Sequence, residues 1–219
     1  ANNLGHLLAY DDHQGAMEAC RAGMEMAERL GDVRFIVSFT WAVAAFLDRD
    51  GRYEEAKALR DDVRERFELP QASALWYDLT DLTARVERAG IEAIEPAYAA
   101  VRRSLEDSNP QSRASVPAAQ ARLDLLTGRF ESAYEAVMGV DPAHRFPEHF
   151  MIAAVAAAML GDADRLDAVG EAIVLSPARG RMLTSIAAMV NGAAAALAGR
   201  TEEAVAGFTH ALGFRYLRV

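Results

Sequence analysis

The sequence predicts an all-α protein, a right-handed α-α superhelix (a solenoid) of about six antiparallel helix pairs in a single domain over residues 1–219. Three observations lead there. A hexapeptide occurs three times, as Gly51-Arg52-Tyr53-Glu54-Glu55-Ala56, Gly128-Arg129-Phe130-Glu131-Ser132-Ala133 and Gly199-Arg200-Thr201-Glu202-Glu203-Ala204. With looser copies at Gly90 and Gly161, the turn glycines stand 39, 38, 33 and 38 residues apart, a spacing suited to stacked helical hairpins. Alanine dominates, Leu, Glu and Arg follow, and no long run is rich in Val, Ile and Thr, so helix is favoured over strand.

Each residue of the hexapeptide has a physical role. Glycine ends the first helix because the residue after a helix often needs φ > 0. Glu54, Glu131 and Glu202 fall in the first turn of the next helix, at the positive end of its dipole. Ala56, Ala133 and Ala204 are small enough for two antiparallel helices to approach closely. Tyr53 and Phe130 cover the turn, with Thr201 a weaker substitute.

In chain order, a short helix over 2–10 precedes a turn at 11–15, and its partner runs over 16–30. The second pair is 33–48 and 53–67, stopped before Pro70. The third is 73–88 and 91–105, its true start nearer Glu95 because Pro96 belongs near a helix start. The most polar stretch, 106–115, reads as a linker. The fourth pair is 116–126 and 130–138, its short second helix explaining the 33-residue spacing. A loop with two prolines covers 140–147. The fifth pair is 148–160 and 163–175, and the sixth 179–198 and 202–212. The chain starts within a helix pattern and stops without a polar capping segment, as a piece of a longer protein would.

Composition narrows the function. Hydrophobic residues make up 52% and charged residues 25%, ordinary for a folded domain. A net charge of −9 repels phosphate backbones, so no direct nucleic-acid contact is expected. Basic groups such as Arg102-Arg103 and the Arg60, Arg64 and Arg66 set have acidic neighbours and read as solvated helix faces. One cysteine, Cys20, permits no internal disulfide, and no signal peptide opens the chain, which suits a cytoplasmic protein. The apolar stretch 182–198 carries Thr184, Ser185, Asn191 and Gly192 and draws much of its apolarity from alanine, so it reads as a buried helix and no membrane contact is expected.

No catalytic machinery emerges. Lys57 is the only lysine and has no glycine-rich stretch before it, so no phosphate-binding loop is present. No Gly-x-Ser-x-Gly elbow occurs. Asp61 and Asp62 are adjacent on a helix and point to different faces. His6, Asp11, Asp12, His13 and Cys20 can be drawn as a metal cluster, but Asp-rich turns arise for hydrogen-bonding reasons alone, so no metal, cofactor or catalytic residue is assigned.

The sixth pair resembles a tetratricopeptide repeat, with Gly192 on its first helix, the turn Gly199-Arg200, and Ala204, Phe208 and Ala211 on one face of its second. The fifth pair ends Ala172-Ile173-Val174-Leu175-Ser176-Pro177, similar to the usual end of such a repeat. The layout is also similar to the helical repeat region of large multidomain bacterial signalling regulators. There an ATP-binding switch module precedes the repeats, and a nucleotide-cyclase or LuxR-type DNA-binding domain is attached. The run Glu28-Arg29-Leu30-Gly31-Asp32, the weak third repeat and the run from Leu197 to Phe208 carry that likeness. The resemblance implies a sensor or scaffold segment that passes a binding event to a neighbouring domain. Paired lysines are missing, so the carboxylate clamp of chaperone-binding tetratricopeptide domains is not expected.

Alignment on the turn glycines places Trp41, Asp48, Arg49, Tyr77, Thr80, Glu87, Arg88, Met151 and Met189 nearest the concave surface lined by the first helices. Aromatics and Arg are favoured at binding sites, although large apolar residues on such helices are more often core. The function expected is a non-enzymatic interaction or scaffold module of a regulator, binding a protein or domain on its concave face. The alternative is a sensor taking a small molecule or peptide in the groove.

Overall fold

The computed structural model describes residues 12–69, 99, 103, 110–177 and 180–213. The chain divides into two units, residues 1–104 with Val219 and residues 105–218. Among the described residues the protein is all helical, with nine α-helices, one 3-10 turn and no strand. The first unit holds α1 (His13–Leu30), α2 (Val33–Arg49) and α3 (Tyr53–Arg66). The second holds α4 (Pro110–Leu126), α5 (Phe130–Met138), a 3-10 turn (Pro142–His144), α6 (Pro147–Leu160), α7 (Ala163–Leu175), α8 (Arg181–Leu197) and α9 (Thr201–Leu212). The sequence-based helices over 2–10, 73–88 and 91–105 lie outside the described residues, apart from helical positions 99 and 103.

The turns obey one rule. Gly31, Gly51, Gly128, Gly161 and Gly199 all have φ between 67° and 75°. The next residue donates its N–H to the carbonyl five residues back: Asp32 to Ala27, Arg52 to Leu47, Arg129 to Asp124, Asp162 to Ala157 and Arg200 to Ala195, at 2.8–3.1 Å. This is the Schellman closure, which gives the last carbonyls of the first helix a donor.

The following helix starts in one of two ways. After Gly-Asp, the carboxylate caps it: Asp32 accepts from the N–H groups of Arg34 and Phe35, and Asp162 from that of Arg165. After Gly-Arg, the guanidinium reaches the fifth hexapeptide residue, Arg52 to Glu55 at 2.6 Å and Arg200 to Glu203 at 2.9 Å. In the middle copy that residue is Ser132, and Arg129 turns back to Asp124 at 2.9 Å. Asp124 also accepts from Ser132 Oγ at 2.7 Å and Gln120 Nε2 at 3.0 Å, so a carboxylate that is 2% exposed is well hydrogen-bonded.

Several boundaries differ from expectation. Asp12 caps α1 through the Gly15 N–H at 2.9 Å, so the helix starts at His13, inside the supposed turn. Six residues of the supposed 106–115 linker belong to α4, which begins at Pro110; proline's fixed φ suits a helix start, and Gln, Arg and Ala accept the conformation. Pro117 then falls inside α4, giving up one ladder bond there. α6 starts one residue early, again on a proline.

Neighbouring helices pack in sequence within each unit, α1 on α2 on α3 and α4 through α9. In the second unit alternate helices also touch, α4 with α6 and α6 with α8. The hexapeptide alanines are buried as their size suggested, Ala56 and Ala133 completely and Ala204 to 6% exposure. Also buried are Val43, Leu47 and Val63 in the first unit and Val137, Ile152, Leu166, Val169 and Ile186 in the second. Each of these branched side chains contributes about 1.5–3 kcal/mol through burial.

One charged residue joins this core. Ala56, Arg60 and Val63 form the buried stripe of α3, at spacings of four and three. Arg60 is therefore not on a solvated face, as its acidic neighbours suggested, but 1% exposed, with its Nη1 2.7 Å from Asp48 Oδ2 on α2. Arg64 and Arg66 remain partly exposed.

Surface ion pairs tie alternate helices: Arg66 meets Glu28 at 3.2 Å between α3 and α1, and Arg165 grips Glu131 with both Nη atoms between α7 and α5. Arg165 also lies 4.8 Å over the Tyr134 ring. Hydrogen bonds from Arg165 hold Glu131 below the ordinary glutamate range, and those from Arg52 do the same for Glu55. A depressed carboxylate lends stability above its unfolded pKa of about 4.3 and loses it as pH falls through the folded value. Arg165→Gln and Arg52→Gln are thus expected to lower the urea midpoint at pH 7, with the deficit shrinking as acid protonates the paired glutamates. A deficit that persists in acid would show that the arginines act by packing rather than charge.

Candidate interaction surface

α6 is the helix on which the second unit turns, since it touches α4, α5, α7 and α8. Its entry is fixed by polar groups. The Phe146 N–H donates to His149 Nδ1 at 3.0 Å, with the buried imidazole 5.7 Å from the Phe146 ring. Arg145 donates to the carbonyls of Val140 and Met138, pinning the preceding loop. From Phe150 to Leu160 the helix carries no polar side chain. A helix apolar on every side belongs in a core, and Phe150, Ile152, Ala153, Ala154, Ala156 and Ala157 are indeed buried.

One side is not covered. Met151, Val155 and Met159 follow one another at intervals of four, along one face. Met151 is half-buried, Val155 is 37% exposed and Met159 60%. Similar residues stand on the helices either side. Leu126, Met159 and Leu197 each lie two residues before a turn glycine, on α4, α6 and α8, and are 56%, 60% and 44% exposed. Met189 joins them half-buried on α8. The flanking Arg122 of α4 is bound to Glu148 of α6 at 2.8 Å. At the turn end Asp164 and Glu202, both exposed, sit three residues past their glycines.

Of the residues expected on the concave face, Met151 and Met189 come to neighbouring helices of this strip. Trp41 and Asp48 lie on α2 of the first unit. Trp41 is half-buried, in the same register as the two methionines, ten residues before its glycine. Asp48 is committed to Arg60. Arg49 ends α2, its side chain outside the described residues, and Tyr77, Thr80, Glu87 and Arg88 are also outside them. Val155, Leu126, Met159 and Leu197 were missed, because an apolar residue on the first helix of a pair is by default assigned to the core. The signal for three of them was the shared register two places before the glycine.

The remaining chemistry is sparse. Of the metal cluster drawn from sequence, Asp12 caps α1, Cys20 is buried with its thiol pKa raised by desolvation, and His6 and Asp11 lie outside the described residues. Among the described residues no group of three or more His, Cys, Asp and Glu could hold a metal ion, and no helix is long and apolar enough to cross a membrane. An open hollow of about 230 Å³ at the α2–α3 turn is lined by Gly51, Arg52, Tyr53, Glu54 and Glu55. It is smaller than ordinary ligand pockets of about 300–1,000 Å³, and its Arg52 and Glu55 already bind each other. No family model, curated protein or solved structure matches the chain.

Proposed function

We propose that this chain is a non-enzymatic protein-interaction module, a tetratricopeptide-like right-handed superhelix of about six helix pairs serving as a scaffold or sensor segment of a larger regulator. Within the second unit α4, α6 and α8 are inner helices of that array and bind the partner protein. The alternation of contacts supports the layout, because α4–α6 and α6–α8 packing is what stacked pairs require. The observation that carries the function is α6, apolar all round yet open to water along Met151, Val155 and Met159. Exposed apolar surface of this kind marks an interaction site. Binding a small polar molecule there is disfavoured, since these side chains offer no hydrogen bond to orient it.

The test is site-specific photo-crosslinking in cells of the source organism. A photoreactive residue at Met159 is expected to give a discrete protein adduct that is missing when the same group replaces Glu171, on outer helix α7. Equal labelling at both positions would end the reading.

A further inference from the structure

Resting on that reading of the strip, we infer that its partner element is an amphipathic α-helix bearing Lys or Arg beside its apolar face, laid across α4, α6 and α8.

The apolar half follows from what the strip lacks. Leu126, Met151, Val155, Met159, Met189 and Leu197 present no donor and no acceptor beyond weak thioether sulfurs, so a partner that left its own backbone groups facing them would strand those groups. A helix satisfies its backbone internally and offers only side chains. An extended segment seated here would find no sheet edge to pair with among the described residues. Methionine suits the task, being unbranched and able to re-pack against varied apolar surfaces.

Spacing supports the crossing direction. Leu126, Met159 and Leu197 share one register on three successively packed helices. Packed helix axes lie about 8–10 Å apart. Residues seven apart on a partner helix rise about 10.5 Å. A heptad-spaced apolar series therefore matches the row, one side chain to each inner helix.

Charge selects the polar half. The chain carries −9, Arg122 at the flank is already held by Glu148, and exposed Asp164 and Glu202 stand at the turn end. A second copy of this chain would bring the same negative charge, and an anionic helix or membrane would meet it too; a cationic helix is drawn in.

Three labelled 18-residue peptides test this by fluorescence anisotropy: a Leu/Lys helix with heptad apolar spacing, the same pattern with Glu for Lys, and a scrambled Leu/Lys peptide. The first is expected to bind at least tenfold more tightly than the others, and to lose at least tenfold with Met159→Glu and with Val155→Asp, each checked to be folded by circular dichroism. The Met159→Lys variant separates lost apolar contact from added charge, and is expected to weaken binding at least as much as Met159→Glu. Equal binding of the Glu peptide overturns the charge assignment, and equal binding of the scrambled peptide overturns the helix. If no peptide binds while the Met159 crosslink still forms, the inference fails and the interaction surface stands. If both are blank, the proposed function fails with it.

Discussion

Asp48→Ala will cost about 3–5 kcal/mol of folding stability, the loss usual when one member of a buried ion pair is removed. Arg60 is 1% exposed and Asp48's side chain 11%, so little water is at hand to solvate a guanidinium that has lost its carboxylate. Against a total stability of roughly 5–15 kcal/mol for a domain, this is a large share. Arg60→Ala will cost a similar amount, by breaking the same buried pair and opening a cavity between α2 and α3. The paired change Asp48→Leu with Arg60→Met is expected to recover most of the loss, because apolar residues of similar volume replace buried ion pairs at little cost. Urea unfolding of the four proteins measures the losses and the recovery. A single-variant loss under about 1 kcal/mol would put the pair in the class of solvated surface bridges and contradict its burial.

The second large effect concerns α8 and α9. A Cβ on Gly207 would stand 2.7 Å from the Gly192 Cα and 2.9 Å from both the Ala188 carbonyl oxygen and the Gly192 nitrogen. These are backbone atoms of the opposing helix, which cannot swing aside as a side chain would. Gly207→Ala must push α9 off α8 and loosen the buried Ala204 and Ala211, at a net cost of about 1–3 kcal/mol, the usual range for overpacking. That cost prevails over the better helix propensity of alanine, worth about 1 kcal/mol. Gly170 provides the contrast, since its nearest neighbour would be Val190 Cγ1 at 3.8 Å, an ordinary contact. Gly170→Ala is expected to stabilise by up to about 1 kcal/mol. Thermal unfolding of both variants reads opposite signs. If both raise the midpoint, α8 and α9 do not meet backbone to backbone.

These cases show what the sequence reveals and what it hides. The turns were legible because their causes are local: a glycine, its successor and a carbonyl five residues back complete each one. The fifth hexapeptide residue was legible only as a difference, Glu against Ser132, and the reason lay in Asp124, on the preceding helix. Arg60 was misread because charge in its neighbourhood was weighed above its spacing from Ala56 and Val63, which puts it on the buried stripe. The start of α4 was hidden by polar composition, which does not oppose helix. The open side of α6 could not be foreseen, since a run from Phe150 to Leu160 without polar side chains says nothing of which face its neighbours leave bare.

The five Schellman joints have one more consequence. Because each closes with the same backbone geometry and is followed by either Asp or Arg, the joints are interchangeable ends. Fusing Gly128 directly to Asp162 would recreate the Gly-Asp junction already present at Gly31-Asp32. An unequal crossover between the Gly128 and Gly161 codons would add or remove a whole helix pair while keeping the backbone closure, with Asp124 left to replace the bonds it receives from Arg129 and Ser132. The number of helix pairs is therefore a quantity that inheritance can adjust in steps, by copying.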